Sequence, residues 1–313
     1  SPHQANGTSY AATAVAIVTL EAFAGMWINA FIVSVICMAW IQMKSLNSNE
    51  KILLLLGCSR FWYLGILWVY SFLSEIYPKY LYIHPLLPLV VSAHGFLNCS
   101  NFWVSTCLCV FYCIKIANFS NSVFIYLKVK IDTIVPHLLL GSLPFSLIVG
   151  ILVYDVTEKT LCKNLNLTRQ GIIWKTSITV VAHFSANYFI IGFLFATSFM
   201  AVTFSALLLL FSLWRHKRNI QTNSMKDLSM DAHIKAMKSI LSFFVMYNIH
   251  LIFFIVTMVY TLKGQNDVML LIYVFLYAFP GVHSLILICS NPKLEKSMLS
   301  ILSCVNCKVC MKQ

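Results

Sequence analysis

Long runs of apolar residues, separated by short polar segments, dominate this chain. A helix that crosses a bilayer needs roughly 20 mostly apolar residues, and seven stretches are long enough. We predict membrane-spanning helices at Tyr10–Ile41, Ile52–Ile76, Pro88–Lys115, Ile131–Tyr154, Ser177–Trp214, Ala236–Leu262 and Val268–Ser290. The predicted fold class is therefore an all-α membrane protein, a seven-transmembrane-helix bundle over residues 10–290.

The positive charges are distributed unevenly between the two sides of the predicted bundle. Of the 22 Lys and Arg residues, 15 lie on one side of the bundle. This side holds the loops between spans one and two, three and four, and five and six, together with the C-terminal tail. Because cytoplasmic loops carry an excess of Lys and Arg, we predict that this side is cytoplasmic. Residues 1–9 are then an extracellular N-terminal segment and residues 291–313 a cytoplasmic tail. The sequon Asn166-Leu167-Thr168 falls in an outer loop, so Asn166 is a candidate glycosylation site.

Composition excludes several classes of protein. Hydrophobic residues make up 59% of the chain and charged residues 10%, whereas soluble domains carry about 25% charged residues. A nucleic-acid binder concentrates its basic residues on a polar surface. Here the net charge of +12 follows the membrane sides, so we predict no nucleic-acid partner.

Motifs for catalysis and transport are not evident. H-E-x-x-H, G-x-S-x-G and a glycine-rich phosphate loop do not occur, so we predict a non-enzyme without a cofactor. A transporter or channel is a second class of protein that the seven spans could form. It would show repeat symmetry or a chain of ionisable groups along a pore, and neither is visible.

Three cysteines in the predicted tail allow two interpretations. Cys304, Cys307 and Cys310 lie close to the last span, where cysteines are often palmitoylated. Their spacing also resembles part of a metal site, but a fourth ligand of the right kind is missing nearby. The sequence favours palmitoylation, and we predict no metal site.

Two charged residues, Glu21 and Arg60, lie inside predicted spans, where charge is costly and usually belongs to a polar network. At a rise of 1.5 Å per residue, Arg60 lies closer in depth to Asn29 than to Glu21. His283 and Ser284 lie at a similar depth. We therefore expect an intramembrane cluster of Asn29, Arg60, His283 and Ser284. It would be either a polar lock that rearranges during activation or a set of static interhelical hydrogen bonds.

Several motifs recur in order along the spans. The first span reads E-A-F-A-G-M-W-I-N-A-F-I from Glu21, and the second contains L-G-C-S-R, ending at Arg60. The third ends in F-Y-C-I-K-I-A-N-F-S-N over residues 111–121, and His283-Ser284 lies in the seventh. The chain resembles the type 2 taste receptors, the bitter taste family of G-protein-coupled receptors. D-R-Y and N-P-x-x-Y do not occur at the places typical of rhodopsin-like receptors. The alternative is a vomeronasal type 1 receptor or another divergent seven-helix chemoreceptor.

The resemblance implies a chemosensory receptor at the plasma membrane. It implies small, mostly neutral organic bitter compounds as agonists and a heterotrimeric G protein, gustducin or another of the inhibitory class, as partner. Membrane lipid is a further expected partner, with cholesterol as one candidate. The outer third span lacks an Asp or Glu that could pair with an amine, which disfavours biogenic amines.

The family's ligand cavity lies among the outer parts of helices two, three, five, six and seven. The matching residues here are His94, Asn98, Tyr247, His250, Phe254 and Tyr273. His183 and Asn187, four residues apart, are candidate rim residues. For each residue the alternative is interhelical packing. The chain departs from the family at His94, where Trp is common, and at Ser198, where Pro is frequent.

A further group of residues is predicted to face the G protein from the cytoplasmic ends of the helices. These residues are Tyr112, Lys115, Arg215, Lys217, His233 and Lys238. The alternative explanation of the basic residues is that they set the topology and contact anionic lipid.

Overall fold

A computed structural model describes residues 2–310 apart from 82–83, 118, 120, 170–191, 194–195, 213, 216–228 and 264–268. Every regular element in these ranges is α-helical, which confirms the predicted all-α class. The helices are α1 (Pro2–Met43), α2 (Ser48–Ile76), α3 (Pro78–Leu81), α4 (Leu86–Ile116), α5 (Ser122–Arg169), α6 (Ala196–Ser212), α7 (Ser229–Lys263), α8 (Met269–Ser290) and α9 (Pro292–Cys310).

Four of the helices in the described ranges are long and apolar enough to cross a membrane. The qualifying segments are Val15–Met43 in α1, Ser48–Ile76 in α2, Leu86–Ile116 in α4 and Ser122–Lys159 in α5. α8 passes the same test only together with α9, to which it is bent by 98°. The apolar segments of α6 and α7 are shorter.

The helices extend beyond the predicted spans at both ends of the chain. α1 begins at Pro2, so residues 2–9 continue the first helix, and residues 292–310 of the predicted tail form α9. Both helices begin with proline, which suits the first position because its missing N–H would have no intrahelical acceptor there. At α9 the Asn291 Oδ1 atom also accepts hydrogen bonds from the backbone N–H groups of Lys293 (3.1 Å) and Leu294 (3.3 Å).

One end of the bundle, here called the basic end, is marked by Lys44, Lys51, Lys115, Lys128 and Lys293. α1 and α4 end there, α2 and α5 begin there, and α9 starts there. The largest apolar core lies next to this end and includes Ile36, Leu53, Phe111, Ile131 and Leu294, from five different helices. This core fixes the helix ends relative to one another.

α1 and α8 approach closely through two glycines. A Cβ atom placed on Gly281 would lie 3.3 Å from the Cα atom of Gly25, and one placed on Gly25 would lie 2.6 Å from the Cδ1 atom of Leu64. The close approach of α8 to α1 therefore depends on Gly281 lacking a side chain, whereas a side chain at Gly25 would first meet Leu64 of α2. About one turn further along each helix, Asn29 meets Ser284.

The start of α9 is tied to the start of α2 by Glu50. One carboxylate oxygen of Glu50 accepts a hydrogen bond from the Asn47 backbone N–H (3.0 Å), as in a capping box. The other oxygen forms an ion pair with the Lys293 ammonium. Because the Glu50 carboxylate contacts both Asn47 and Lys293, it holds the start of α9 against the α1–α2 loop.

Candidate functional site

The Arg60 side chain lies fully buried in the middle of the bundle. Its Nε donates to Asn101 Oδ1 (3.0 Å), and its Nη2 donates to Ser105 Oγ (3.1 Å), both on α4. Its Nη1 donates to Ser284 Oγ on α8 (2.9 Å), and Nη2 also contacts His283 Nδ1. The guanidinium therefore bridges α4 and α8 through neutral partners.

The cluster continues from α8 to α1. Ser284 Oγ donates to Asn29 Oδ1 (2.8 Å), and Asn29 Nδ2 donates to the carbonyl of Gly25 (2.8 Å). The structure thus brings together all four residues that the sequence selected by depth. Asn29 connects to Arg60 through the Ser284 hydroxyl.

Two members of this cluster, Asn101 and Ser105, were missed by the sequence analysis. They lie four residues apart on α4, so they share one helical face. Both are buried. A search for polar pairs at i and i+4 in the third span, at the depth of Arg60, could have found them.

A run of aromatic contacts connects this cluster to α7 and α6. The His283 ring lies 4.3 Å from the Phe243 ring, and Phe243 lies 5.3 Å from Tyr247, measured between ring centroids. The hydroxyl groups of Tyr247 and Ser198 are hydrogen-bonded to each other. Ser198 therefore supplies a hydroxyl contact between α6 and α7.

The predicted ligand residues with described side chains fall into two groups. Tyr247 and His250 both pack against Phe102 of α4, each at 5.8 Å between centroids, and His250 lies 4.4 Å from Phe279 of α8. His94 instead packs on Tyr63 of α2 at 5.2 Å. Asn98, on the same helix as His94, is buried.

Two further predicted ligand residues are described at the level of the backbone. Phe254 lies on α7 and Tyr273 on α8, but their side chains are outside the described part of the structure. His183 and Asn187 lie outside the described residues altogether. Asn166 lies on α5, with its side chain also outside the described part.

The residues predicted to face the G protein are only partly described. Tyr112 is half-buried beside the apolar core, and the Lys115 ammonium pairs with Asp132 of α5 at 3.0 Å. Arg215 is exposed, Lys217 lies outside the described residues, and the side chains of His233 and Lys238 on α7 are not described. Among the side chains that the structure does describe, no group of His, Cys, Asp or Glu is arranged to hold a metal ion.

The long apolar helices and the buried polar cluster define a helical, multi-pass membrane protein. The sequence profile of the taste receptor protein (TAS2R) family matches residues 8–306. Taste receptor type 2 member 9 from Homo sapiens is 31% identical, covering 94% of each chain. Taste receptor type 2 member 110 from Mus musculus is 32% identical, covering 96% of this chain and 95% of its own. The chain therefore belongs to the type 2 taste receptor family, the bitter taste receptors among the G-protein-coupled receptors.

Proposed function

We propose that this protein is a plasma-membrane receptor for small, mostly neutral organic bitter compounds that activates gustducin or another inhibitory-class G protein. Membership of the family supports a small-molecule agonist and a G-protein partner. The observation that carries the proposal is the continuous set of contacts from His250 and Tyr247, through Phe243 and His283, to Arg60. A receptor needs such a connection between its agonist cavity and the polar cluster that rearranges on activation.

The proposed orientation has seven spans, with the N-terminus outside and the basic end in the cytoplasm. The excess of Lys and Arg at the basic end supports it, because positive residues are retained on the cytoplasmic side. The agonist cavity is then proposed in the outer half of the bundle, among the predicted ligand residues around Asn98, His250 and Tyr273. Aromatic walls with a few polar groups suit small, mostly apolar ligands.

Activation is proposed to pass through α7. An agonist that binds better to a minor active conformation shifts the population toward it. A shift of α7 would move Phe243 against His283 and change the hydrogen bonds that Arg60 shares between α4 and α8. Asn29, Arg60, His283 and Ser284 are therefore proposed as the activation network.

The G protein is proposed to bind at the basic end. Tyr112, Lys115, Arg215, Lys217, His233 and Lys238 are the proposed contacts. Basic residues there also attract anionic lipid, and cholesterol remains a candidate membrane partner.

The proposal is tested by expressing the full-length receptor in cells and recording G-protein activation against a panel of bitter compounds. A panel agonist should lose potency by about tenfold or more in Asn98→Ala and in Tyr273→Ala. Trp27→Ala, which removes an exposed ring on α1, is the matched control and should keep the original potency. No response to any compound despite surface expression would contradict the function, and unchanged potency in both cavity variants would remove the proposed cavity.

A further inference from the structure

A concave site lies at the basic end, separate from the Arg60 cluster. It is a cavity of about 700 Å³ between the α1–α2 loop, the end of α4 and the start of α5. Its charged lining residues are Lys51, Lys115 and Asp132, and its apolar lining includes Leu46 and Phe111. The site therefore combines charge with an apolar wall.

The lining carries one positive charge in excess. The Lys115 ammonium is paired with Asp132 Oδ2 at 3.0 Å. Lys51 is exposed and has no ion-pair partner within 4 Å among the residues that the structure describes. The start of α2 lies beside it, where the Glu50 carboxylate is already occupied by the Asn47 N–H and the Lys293 ammonium. A ligand with a single negative charge would balance this lining.

The apolar surroundings indicate where the rest of such a ligand would lie. Leu140 and Leu143 follow Asp132 by eight and eleven residues, on the same side of α5, and are 69% and 37% exposed. In the bilayer this surface contacts lipid tails. A lipid whose headgroup enters the cavity can therefore lay its acyl chains along α5.

We propose that this cavity binds the phosphodiester headgroup of an anionic phospholipid in the cytoplasmic leaflet. The inference rests on the proposed orientation, because anionic lipids are concentrated in that leaflet. The headgroup of an anionic phospholipid such as phosphatidylserine carries a net charge of −1, which matches Lys51, whereas phosphatidylcholine has the same phosphodiester but is neutral because of its choline ammonium. Lys115 remains with Asp132, so Lys51 is the residue that contacts the anionic headgroup.

The test uses native mass spectrometry of the purified full-length receptor with added phosphatidylserine or phosphatidylcholine. The receptor should retain phosphatidylserine in preference to phosphatidylcholine. Lys51→Gln should reduce this retention about fivefold, the ratio that corresponds to roughly 1 kcal/mol for one lysine near a membrane surface. The matched control Lys130→Gln removes an exposed lysine of α5 that does not line the cavity, and it should leave retention within twofold.

A variant that should increase lipid retention distinguishes a loss of lipid recognition from a loss of folding. Asp132→Asn removes the only carboxylate of the described lining and releases Lys115, so it should increase phosphatidylserine retention. Equal losses in Lys51→Gln and Lys130→Gln, or equal retention of the two lipids, would overturn the proposal. Displacement by inorganic phosphate alone would also overturn it, since the occupant would then be a soluble anion.

The outcome can be separated from the proposed function by two parallel measurements on the same variants. Intact agonist responses without selective lipid retention would defeat only this inference. An N-terminal epitope accessible only from the cytosol would defeat the orientation on which both rest.

Discussion

Arg60 is a buried cation whose four described partners are all neutral. Moving a charged group out of water is costly unless its donors are satisfied. The guanidinium is held by two residues of α4 and two of α8, so losing any one partner leaves a charged N–H without an acceptor. This makes the cluster sensitive to single substitutions.

Ser284 is the member whose loss should be most informative, because its hydroxyl accepts from Arg60 and donates to Asn29. Ser284→Ala should lower the free energy of unfolding by about 1–3 kcal/mol, measured by SDS titration of the purified receptor. Ser34→Ala is the control, since the exposed Ser34 hydroxyl bonds only within its own helix. Equal stability of the two variants would show that the Ser284 bonds contribute nothing.

The hydrogen bond between Ser198 and Tyr247 can be isolated by a double-mutant cycle. Tyr247→Phe keeps the aromatic ring and its contacts with Phe102 and Phe243, while Ser198→Ala removes the partner. We expect the two single variants to be less stable and the double variant to be more stable than their sum predicts, by about 0.5–1.5 kcal/mol. Strict additivity in SDS titration would contradict a direct bond.

Depth along the helix was enough to select Asn29, Arg60, His283 and Ser284 from the sequence, because a regular helix converts residue number into height. The depth of a residue in the membrane does not show which way its side chain faces around the helix axis. Asn101 and Ser105 were missed for that reason, since the face that α4 turns toward Arg60 depends on how the helices pack. The bond between Ser198 and Tyr247 was equally invisible, because Ser198 was read only as a departure from proline.

At the level of helices, the contact between α1 and α8 depends on Gly281, which packs against the backbone of Gly25. Gly281→Val would place new carbon atoms against the Gly25 backbone, which cannot move aside as a flexible side chain would. We expect the helices to separate, the bond between Ser284 and Asn29 to weaken, and stability to fall by about 1–3 kcal/mol.

The control for this substitution is Gly141→Val on α5, where an added Cβ atom meets nothing within 4 Å. It should leave stability nearly unchanged. Similar losses for the two variants would mean that helix propensity, rather than the approach of α1 to α8, determines the result.

Helix positions were largely predictable and their ends were not. The second and third spans match α2 and α4 to within four residues at each end, because long apolar runs have clear limits. α5 begins at Ser122, nine residues before the predicted Ile131, and α9 was read only as a tail. The start of α5 is mostly apolar and lies outside the predicted span because of Lys128 and Lys130; Asn121 Oδ1 caps it by accepting a hydrogen bond from the Val123 N–H (2.9 Å). The more polar α9 is supported by the ion pair between Glu50 and Lys293, which apolar length does not reveal.

At the scale of the whole molecule, orientation is the property on which the functional proposals depend. The sequence Asn118-Phe119-Ser120 is a second match to the glycosylation sequon. If the basic end is cytoplasmic, Asn166 is predicted outside and Asn118 in the cytosol. Asn166→Gln should therefore reduce the endoglycosidase-sensitive mass of the receptor by one glycan, whereas Asn118→Gln should leave it unchanged. A glycan lost on mutation of Asn118 would reverse the topology.

The two ends of the molecule differ in charge, and we propose that they bind different partners. The aromatic residues around Phe102 and His250 lie among apolar helices, and the cavity at the basic end contains lysines. The agonist is thus proposed to use one end of the bundle. The lipid and the G protein are proposed to use the other, the basic end, where Tyr112 and Lys115 line the cavity and are also proposed G-protein contacts. The Arg60 cluster lies between the two ends and shares hydrogen bonds with α4 and α8.

The most direct test of the account is agonist-stimulated nucleotide exchange with purified components. The receptor would be reconstituted in nanodiscs with an inhibitory-class heterotrimer, and in parallel with a stimulatory-class heterotrimer. A bitter compound active in the cellular panel should accelerate exchange on the inhibitory-class protein, and Ser284→Ala should change that acceleration. Folded receptor that binds the compound but accelerates exchange on neither heterotrimer would contradict the account.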